Sequence, residues 1–221
     1  MTRKFKLIVL IVGALLCLFM ILTLLSRAPG YLLYSENPKK ADCIIPLLGK
    51  EYVERKKEAF RLIAEGYSSV LLIPPRYRLV HVTNDSLKVP LQIKDELSDL
   101  SIYAYKGNPQ YRWHENTHLE LILAKEYMMA YKFDSAIIVS SPYHMRRVRI
   151  IADRVFGDGN YLITCVPDRF EAIHNPWWLD RKGLIWVSME YLKIGWLLVY
   201  ERFYDLISSV MDFFERIYTS R

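Results

Sequence analysis

Glycine is scarce in this chain, nine in 221 residues, and none of it is arranged to cradle a phosphate. There is no Gly-x-Gly-x-x-Gly, no P-loop and no Gly-x-Ser-x-Gly elbow. Those absences exclude the usual dinucleotide, nucleoside triphosphate and α/β-hydrolase signatures. Cysteine is scarcer still, and three residues do not make a disulfide framework. Cys17 lies inside an apolar run. Cys43 and Cys165 fall in predicted strands, where a free buried thiol is the expectation and a Cys43–Cys165 bridge the alternative in an oxidising compartment. Nor is there a basic surplus to speak of. The net charge is +6, half of it is carried by Arg3, Lys4 and Lys6, and the balanced remainder gives no case for nucleic acid. Internal repeats and low-complexity segments are missing too, which excludes a repeat architecture.

What the chain has is apolar sequence, 52% of its residues, gathered toward both ends. Leu7 to Leu25, LIVLIVGALLCLFMILTLL, carries no charge and is long enough to span a hydrocarbon core. A cleaved signal peptide would have a shorter apolar run, and Pro29 directly follows the one small-residue site, Ser26–Ala28. Residues 1–28 therefore read as an uncleaved anchor, and 29–40, with Pro29, Gly30 and Pro38, as a linker. Arg3, Lys4 and Lys6 before the span slightly outweigh Arg27, Lys39 and Lys40 after it, which points to an N-terminus inside and a domain outside the membrane.

Residues 41–183 alternate between strand and helix patterns. Asp42–Leu48 reads as a strand ending at Gly49, Lys50–Glu65 as a helix stopped by Gly66, and Ser69–Ile73 as a second strand. A β-α-β beginning predicts a parallel sheet. Between Arg76 and Pro109, Val80, Val82, Val89, Leu91 and Ile93 suggest strand or loop pieces around Asn84–Asp85. A helix over Lys94–Tyr105 and a turn at Gly107–Pro109 follow. Thr117–Tyr131 is a helix opened by the capping box Thr117-x-x-Glu120. Ala136–Val139 and Tyr161–Val166 are strands, with a turn at Gly157–Gly159 before the second. Residues 184–221 form a helical extension, read as two helices. In the first, Leu184–Tyr200, Glu190 and Lys193 break the apolar run, so a second span is not expected. In the second, from Phe203, an apolar stripe of Ile207, Val210, Phe214 and Ile217 faces away from Asp205, Asp212 and Arg216. The first helix is expected to pack on the domain. The second is expected to make an interface, with a membrane surface or, as a homo-oligomer, with a second copy.

The chemistry concentrates at Ser135–Arg149, SAIIVSSPYHMRRVR. A short β-branched strand breaks at Ser140, Ser141 and Pro142. Ser141 suits an N-cap and Pro142 the first helical position. Arg146, Arg147, Arg149 and Arg154 all lie on the helix that follows. His144 and Arg147 then share one face where a strand's carboxyl end feeds a helix N-terminus, a place that favours anionic ligands. Ser140 and Ser141 are candidate nucleophiles with His144 as base, although no orienting carboxylate can be identified by sequence. Arg55 on an exposed helix face and Asp42 at a strand start are weaker candidates. His114-Glu115-x-x-His118 spells a zinc-binding pattern. But Asn116–Thr117 marks a helix start, which leaves His114 outside the helix and destroys the one-turn geometry. No metal and no cofactor are expected.

Most of residues 41–193 resemble the bacterial SanA/YdcF/ElyC family, whose central domain long carried only an unknown-function label. The resemblance rests on ADCIIPLLG at 41–49, Arg55 with Ala59 and Gly66, ENTHLE at 115–120, VSSPYHMRR at 139–147, Trp177–Trp178 with Asp180 and Gly183, and EYLK at 190–193. It implies a Rossmann-like open parallel sheet in a three-layer αβα domain, anchored in the bacterial inner membrane and facing the periplasm. The implied role is in the cell envelope or its peptidoglycan; an anchored domain with an anion site in turn suits an anionic, phosphate-bearing small-molecule or lipid-linked substrate. Carried over, the site is Arg55, Glu115, Asn116, Thr117, Glu120, Ser140, Ser141, His144 and Arg147. Arg147 would hold the anion with the helix N-termini. His144 would be general acid/base, with Glu120 or Glu115 orienting it or activating water. A non-catalytic scaffold and, more remotely, a zinc hydrolase are the alternatives. One departure stands out: the family's usual Ser-Gly after the second strand is Ile73-Pro74-Pro75-Arg76 here.

Overall fold

The computed structural model describes residues 3–49, 52–74, 78–82, 88–90, 105–106, 111, 114–157, 159–170, 177 and 179–219. Six strands form one sheet in the order β4-β3-β2-β1-β5-β6. These are β1 (Cys43–Pro46), β2 (Val70–Ile73), β3 (Arg78–Val82), β4 (Lys88–Pro90), β5 (Ser135–Ser140) and β6 (Leu162–Pro167). β1 is parallel to β2 and β5, and β5 to β6, with Ile44 opposite Leu71 and Ile137, and Ile138 opposite Cys165. The expected parallel sheet is thus its core. A β3–β4 hairpin, running antiparallel to β2, extends one side. It flanks Asn84–Asp85, while the sequence readings at Leu91, Ile93, Lys94–Ala104 and Gly107–Pro109 lie outside the described residues.

Side chains alternate between the two faces, as strand geometry requires. Ile44, Ile137 and Val139 meet Ala59 and Leu62 of α2 (Tyr52–Ala64). Cys43, Ile45, Ala136 and Ile138 meet α3 (Asn116–Tyr131) and α4 (Met145–Phe156) through Leu121, Tyr127, Met128, Val148 and Ile151. Both faces are covered, so β1 and β5 are continuous apolar runs and not alternating ones. Gly66 has φ +80°, the backbone its helix-stopping role requires. Cys43 and Cys165 are buried free thiols on strands separated by β5.

Two elements differ from the sequence reading. The N-terminal helix, α1 (Arg3–Leu32), does not give way to the linker at residue 29 but runs through Pro29. Proline there has no N–H for the carbonyl of Leu25. The Trp177 indole supplies the donor instead, Nε1 to the Leu25 oxygen at 2.9 Å. α1 is long and apolar enough to cross a membrane by length and composition. The stretch after it is not a loose linker either. Glu36 N donates to the Cys165 carbonyl (3.0 Å) and Cys165 N to Glu36 Oε2 (2.7 Å), covering the open edge of β6. At the other end, the two expected helices are one: α5 runs unbroken for 39 residues, Arg181–Thr219. Neither glycine nor proline stands between Tyr200 and Phe203 to end it. Leu32, Tyr143, Trp177, Val187 and Ile194 form a small core of their own where α1, α5 and the start of α4 meet.

Candidate functional site

Strand order reverses between β1 and β5. The chain leaves β1 for β2 on one side and leaves β5 for β6 on the other. In open α/β sheets the crevice beyond the carboxyl ends of such a strand pair is where ligands sit. Here it is framed by Leu47–Gly49 after β1 and by Ser141 with a 3₁₀ turn, Pro142–His144, after β5. Pro142 takes the first helical position as its chemistry suggests. Ser141 precedes the turn but makes no side-chain cap.

Arg55 explains what Ser141 does instead. Its buried guanidinium donates to Ser141 Oγ from Nη2 (2.9 Å) and Nε (3.2 Å), and to the carbonyls of Leu47 (3.1 Å) and Leu48 (2.6 Å) from Nη1. Arg55 is therefore a clamp between the ends of β1 and β5, not the solvated face residue the helix pattern suggests. Gly49 is part of the clamp: its φ is +151°, and a Cβ there would lie 2.7 Å from Arg55 Nη1. Across the same strand ends, Glu120 Oε2 accepts the Leu48 N–H at 3.1 Å. Burial pushes this carboxyl up to about 7, against the pull of the Leu48 N–H, Arg55 and Arg147. Ser140 is buried at the end of β5, and its carbonyl accepts the Asp168 N–H at 2.9 Å.

The second group is centred on Arg147. Its guanidinium, 4% exposed, touches Glu190 Oε2 from Nε (2.8 Å), Glu115 Oε1 from Nη1 (2.8 Å) and Thr117 Oγ1 from Nη1 (3.1 Å). Glu190 is the hub. Its Oε1 lies 2.9 Å from His144 Nδ1 and 2.7 Å from Lys193 Nζ. Burial would raise the Glu190 carboxyl, but His144 and Arg147 outweigh it and hold it well below the usual carboxylate range. His144 thus presents its Nδ1 edge to an ionised carboxylate, which can only accept hydrogen bonds. Lys193, Arg147, Glu115, Asn116 and Thr117, with Lys106, His114 and Trp196, line an open cleft of about 560 Å³.

The structure thus brings Glu115, Asn116, Thr117 and Arg147 to one cleft, ties His144 to it through Glu190, and sets Arg55, Ser141 and Glu120 at the adjoining strand ends. Three corrections follow. The carboxylate beside His144 is Glu190, not Glu115 or Glu120. Arg147 is not an open anion receptor, because two carboxylates already neutralise it. And Thr117 and Glu120 form no capping box: α3 starts at Asn116 after Glu115, and both side chains are used elsewhere. Glu190 and Lys193 are the site residues that sequence reasoning missed. Their signals were a charge pair set inside an otherwise apolar helix and the EYLK match at 190–193, neither of which said what they would meet.

His114 and His118 do approach each other, with ring centroids 4.4 Å apart. His114 nevertheless precedes the helix, and His118 Nδ1 is 2.8 Å from the Tyr200 hydroxyl. Burial and the nearby His114 and Arg154 lower His118 to about 3, so the ring is neutral. Among the described residues no cluster of three His, Cys, Asp or Glu has metal-binding spacing. Asp42 lies at the opposite, amino edge, where its Oδ2 accepts the N–H groups of Asp134 and Ser135, each at 3.0 Å. A second cleft of about 390 Å³ near that edge includes Arg149, already paired with Glu36 and Asp153, and shares nothing with the strand switch. No protein-family model, curated protein or solved structure matches this chain.

Proposed function

We propose that this is a membrane-anchored envelope-biogenesis protein of the SanA/YdcF/ElyC kind, in which α1 is the anchor and the α/β domain lies in the periplasm. Helices on both faces of a switched parallel sheet support a Rossmann-like, three-layer reading of that domain. Its cleft binds an anionic, phosphate-bearing envelope or peptidoglycan precursor. The observation that carries this is the pair of lysines on the cleft lining, Lys106 and Lys193, beside an Arg147 whose charge Glu115 and Glu190 already offset. The N-terminus of α3 opens at the same place and adds its free N–H groups. Arg147 serves as a neutralised post that fixes Glu115, Thr117 and Glu190. Lys193, whose side chain is 39% exposed, is the cation that reaches ligand. His144, polarised by Glu190, moves the proton in an enzyme of the hydrolase or transferase type.

Titration of the full chain in detergent with inorganic pyrophosphate tests this reading. Binding is expected to weaken as salt rises, and to fall about 10- to 100-fold in Lys193→Ala, the loss of one charge-assisted contact of about 1.5–3 kcal/mol. Lys40→Ala, at the other cleft, should bind like the parent. No binding, or equal binding by both variants, would refute it. A non-catalytic scaffold is the second reading, favoured by the exposed apolar side chains of Leu192, Val199 and Phe203 along α5.

A further inference from the structure

The longest helix of the domain buries one face and leaves the opposite one uncovered. Val187, Glu190, Ile194, Leu197 and Tyr200 of α5 point into the protein. Two residues further round, Met189, Leu192, Trp196 and Val199 are 45%, 66%, 47% and 46% exposed, and Phe203 and Leu206 continue the row at 58% and 60%. Exposed Leu184, Tyr191 and Leu198 widen it. The only charges between Gly183 and Tyr200 are Glu190 and Lys193, and both are turned to the site. Monomeric domains rarely leave so continuous an apolar surface in water.

We infer that this face of α5 lies in the surface of the same bilayer that α1 enters, an inference that rests on α1 being the anchor. Continuity carries it. The exposed run of α1 ends where α5 meets it: Tyr191 Oη donates to the Ala28 carbonyl at 2.7 Å, and the Tyr31 and Tyr191 rings stack with centroids 6.0 Å apart. Trp177 reaches Leu25 at the same level. Tyrosine and tryptophan gathered at the end of an apolar span mark the height of the lipid headgroups. From that height α5 carries an apolar face edged by Arg181, Lys182 and Arg202, the make-up of a helix lying in the interface. A coiled coil with a second copy would need a narrow seam flanked by paired acids and bases. The positions flanking this row, Ser188, Lys193, Gly195, Tyr200 and Arg202, offer no acid to pair, and exposed Leu184, Tyr191 and Leu198 make the apolar face broader than such a seam. One consequence concerns the site: Trp196 belongs to the uncovered face and also lines the cleft, so the cleft mouth opens at the membrane surface.

The test is spin-label accessibility in the full chain reconstituted into vesicles of phosphatidylethanolamine and phosphatidylglycerol. Cys43 and Cys165 are buried with thiol pKa values pushed upward, which leaves Cys17 as the native labelling site. Labels are placed at Cys17 and, in a Cys17→Ser background, at Leu192→Cys, Val199→Cys and, as an aqueous control, Lys57→Cys. Oxygen should be more accessible than a water-soluble nickel chelate at positions 17, 192 and 199, with the reverse at 57. A lipid-like Cys17 with water-like 192 and 199 would overturn the placement of α5 alone. A water-like Cys17 would overturn the anchor and this inference with it. Protection from both reagents at 192 and 199, with dipolar broadening, would assign the face to a second copy.

Discussion

Glu120 and Glu190 are both buried carboxyls, and their surroundings drive them in opposite directions. Glu190 has His144, Arg147 and Lys193 within contact, so it stays ionised. Glu120 has one backbone N–H and more distant arginines, so burial wins. Its native pKa lies above the ordinary value of 4.5, so the native state holds the proton more tightly than the unfolded chain. The corresponding stability is fully present below about pH 4.5 and is lost as pH rises to about 7. Glu120→Gln keeps an acceptor for Leu48 N–H and removes the titration. Urea unfolding at pH 4.5 and 8 should show the variant gaining on the parent by on the order of 3 kcal/mol at the higher pH. A constant difference would refute the assignment. The site was half legible at this scale. His144, Arg147 and Ser141 announced themselves by following a strand directly. Glu190 did not, since its partners are far away in the chain and an acid within an apolar helix does not say which charge it will meet.

Elements were most legible where period and punctuation agree. β1, α2, β5 and β6 fall within a residue or two of the expected spans, because apolar runs are bounded there by Gly49, Gly66 or Pro142. The ends of α1 and α5 were misjudged for one reason: local rules stop a helix at proline or at a change of composition, and tertiary contacts overrode both. Pro29 is tolerated because Trp177 satisfies the carbonyl that proline leaves free. Trp177→Phe should therefore lower stability in detergent by about 1 kcal/mol. Pro29→Ala should recover most of that loss in the Trp177→Phe background, by restoring a donor within the helix. Additive effects in the double-mutant cycle, read from unfolding midpoints, would show that the indole bond does not stand in for the missing N–H.

For the whole molecule, the C-terminal region is one helix with a buried part: among the described residues the last buried side chain of α5 is that of Tyr200, although the helix continues. Removing Phe203 onward should leave the thermal midpoint of the domain nearly unchanged. Removing Val187 onward should abolish folding. It strips Ile194, Leu197 and Tyr200 from the core, each worth about 1.5–3 kcal/mol, and leaves Arg147 without Glu190, a further 3–5 kcal/mol or so. Comparable midpoints for the two truncations would mean that α5 is peripheral. What no local pattern conveyed was that the two ends of the chain meet, since neither end carries a motif for the other.

That meeting orders events during synthesis. Arg55, Glu115, His144 and Arg147 have all left the ribosome before Glu190 is made. A nascent chain can pair β1 with β5 and pack α3 on α4 while Arg147 still faces Glu115 alone and His144 has no carboxylate beside it. The guanidinium must stay hydrated until α5 arrives, so the crevice stays wet and the sheet edge loose. The site gains its second carboxylate only as α5 docks, and a chain cut short before that point leaves Arg147 with Glu115 alone and without the core side chains that hold the fold.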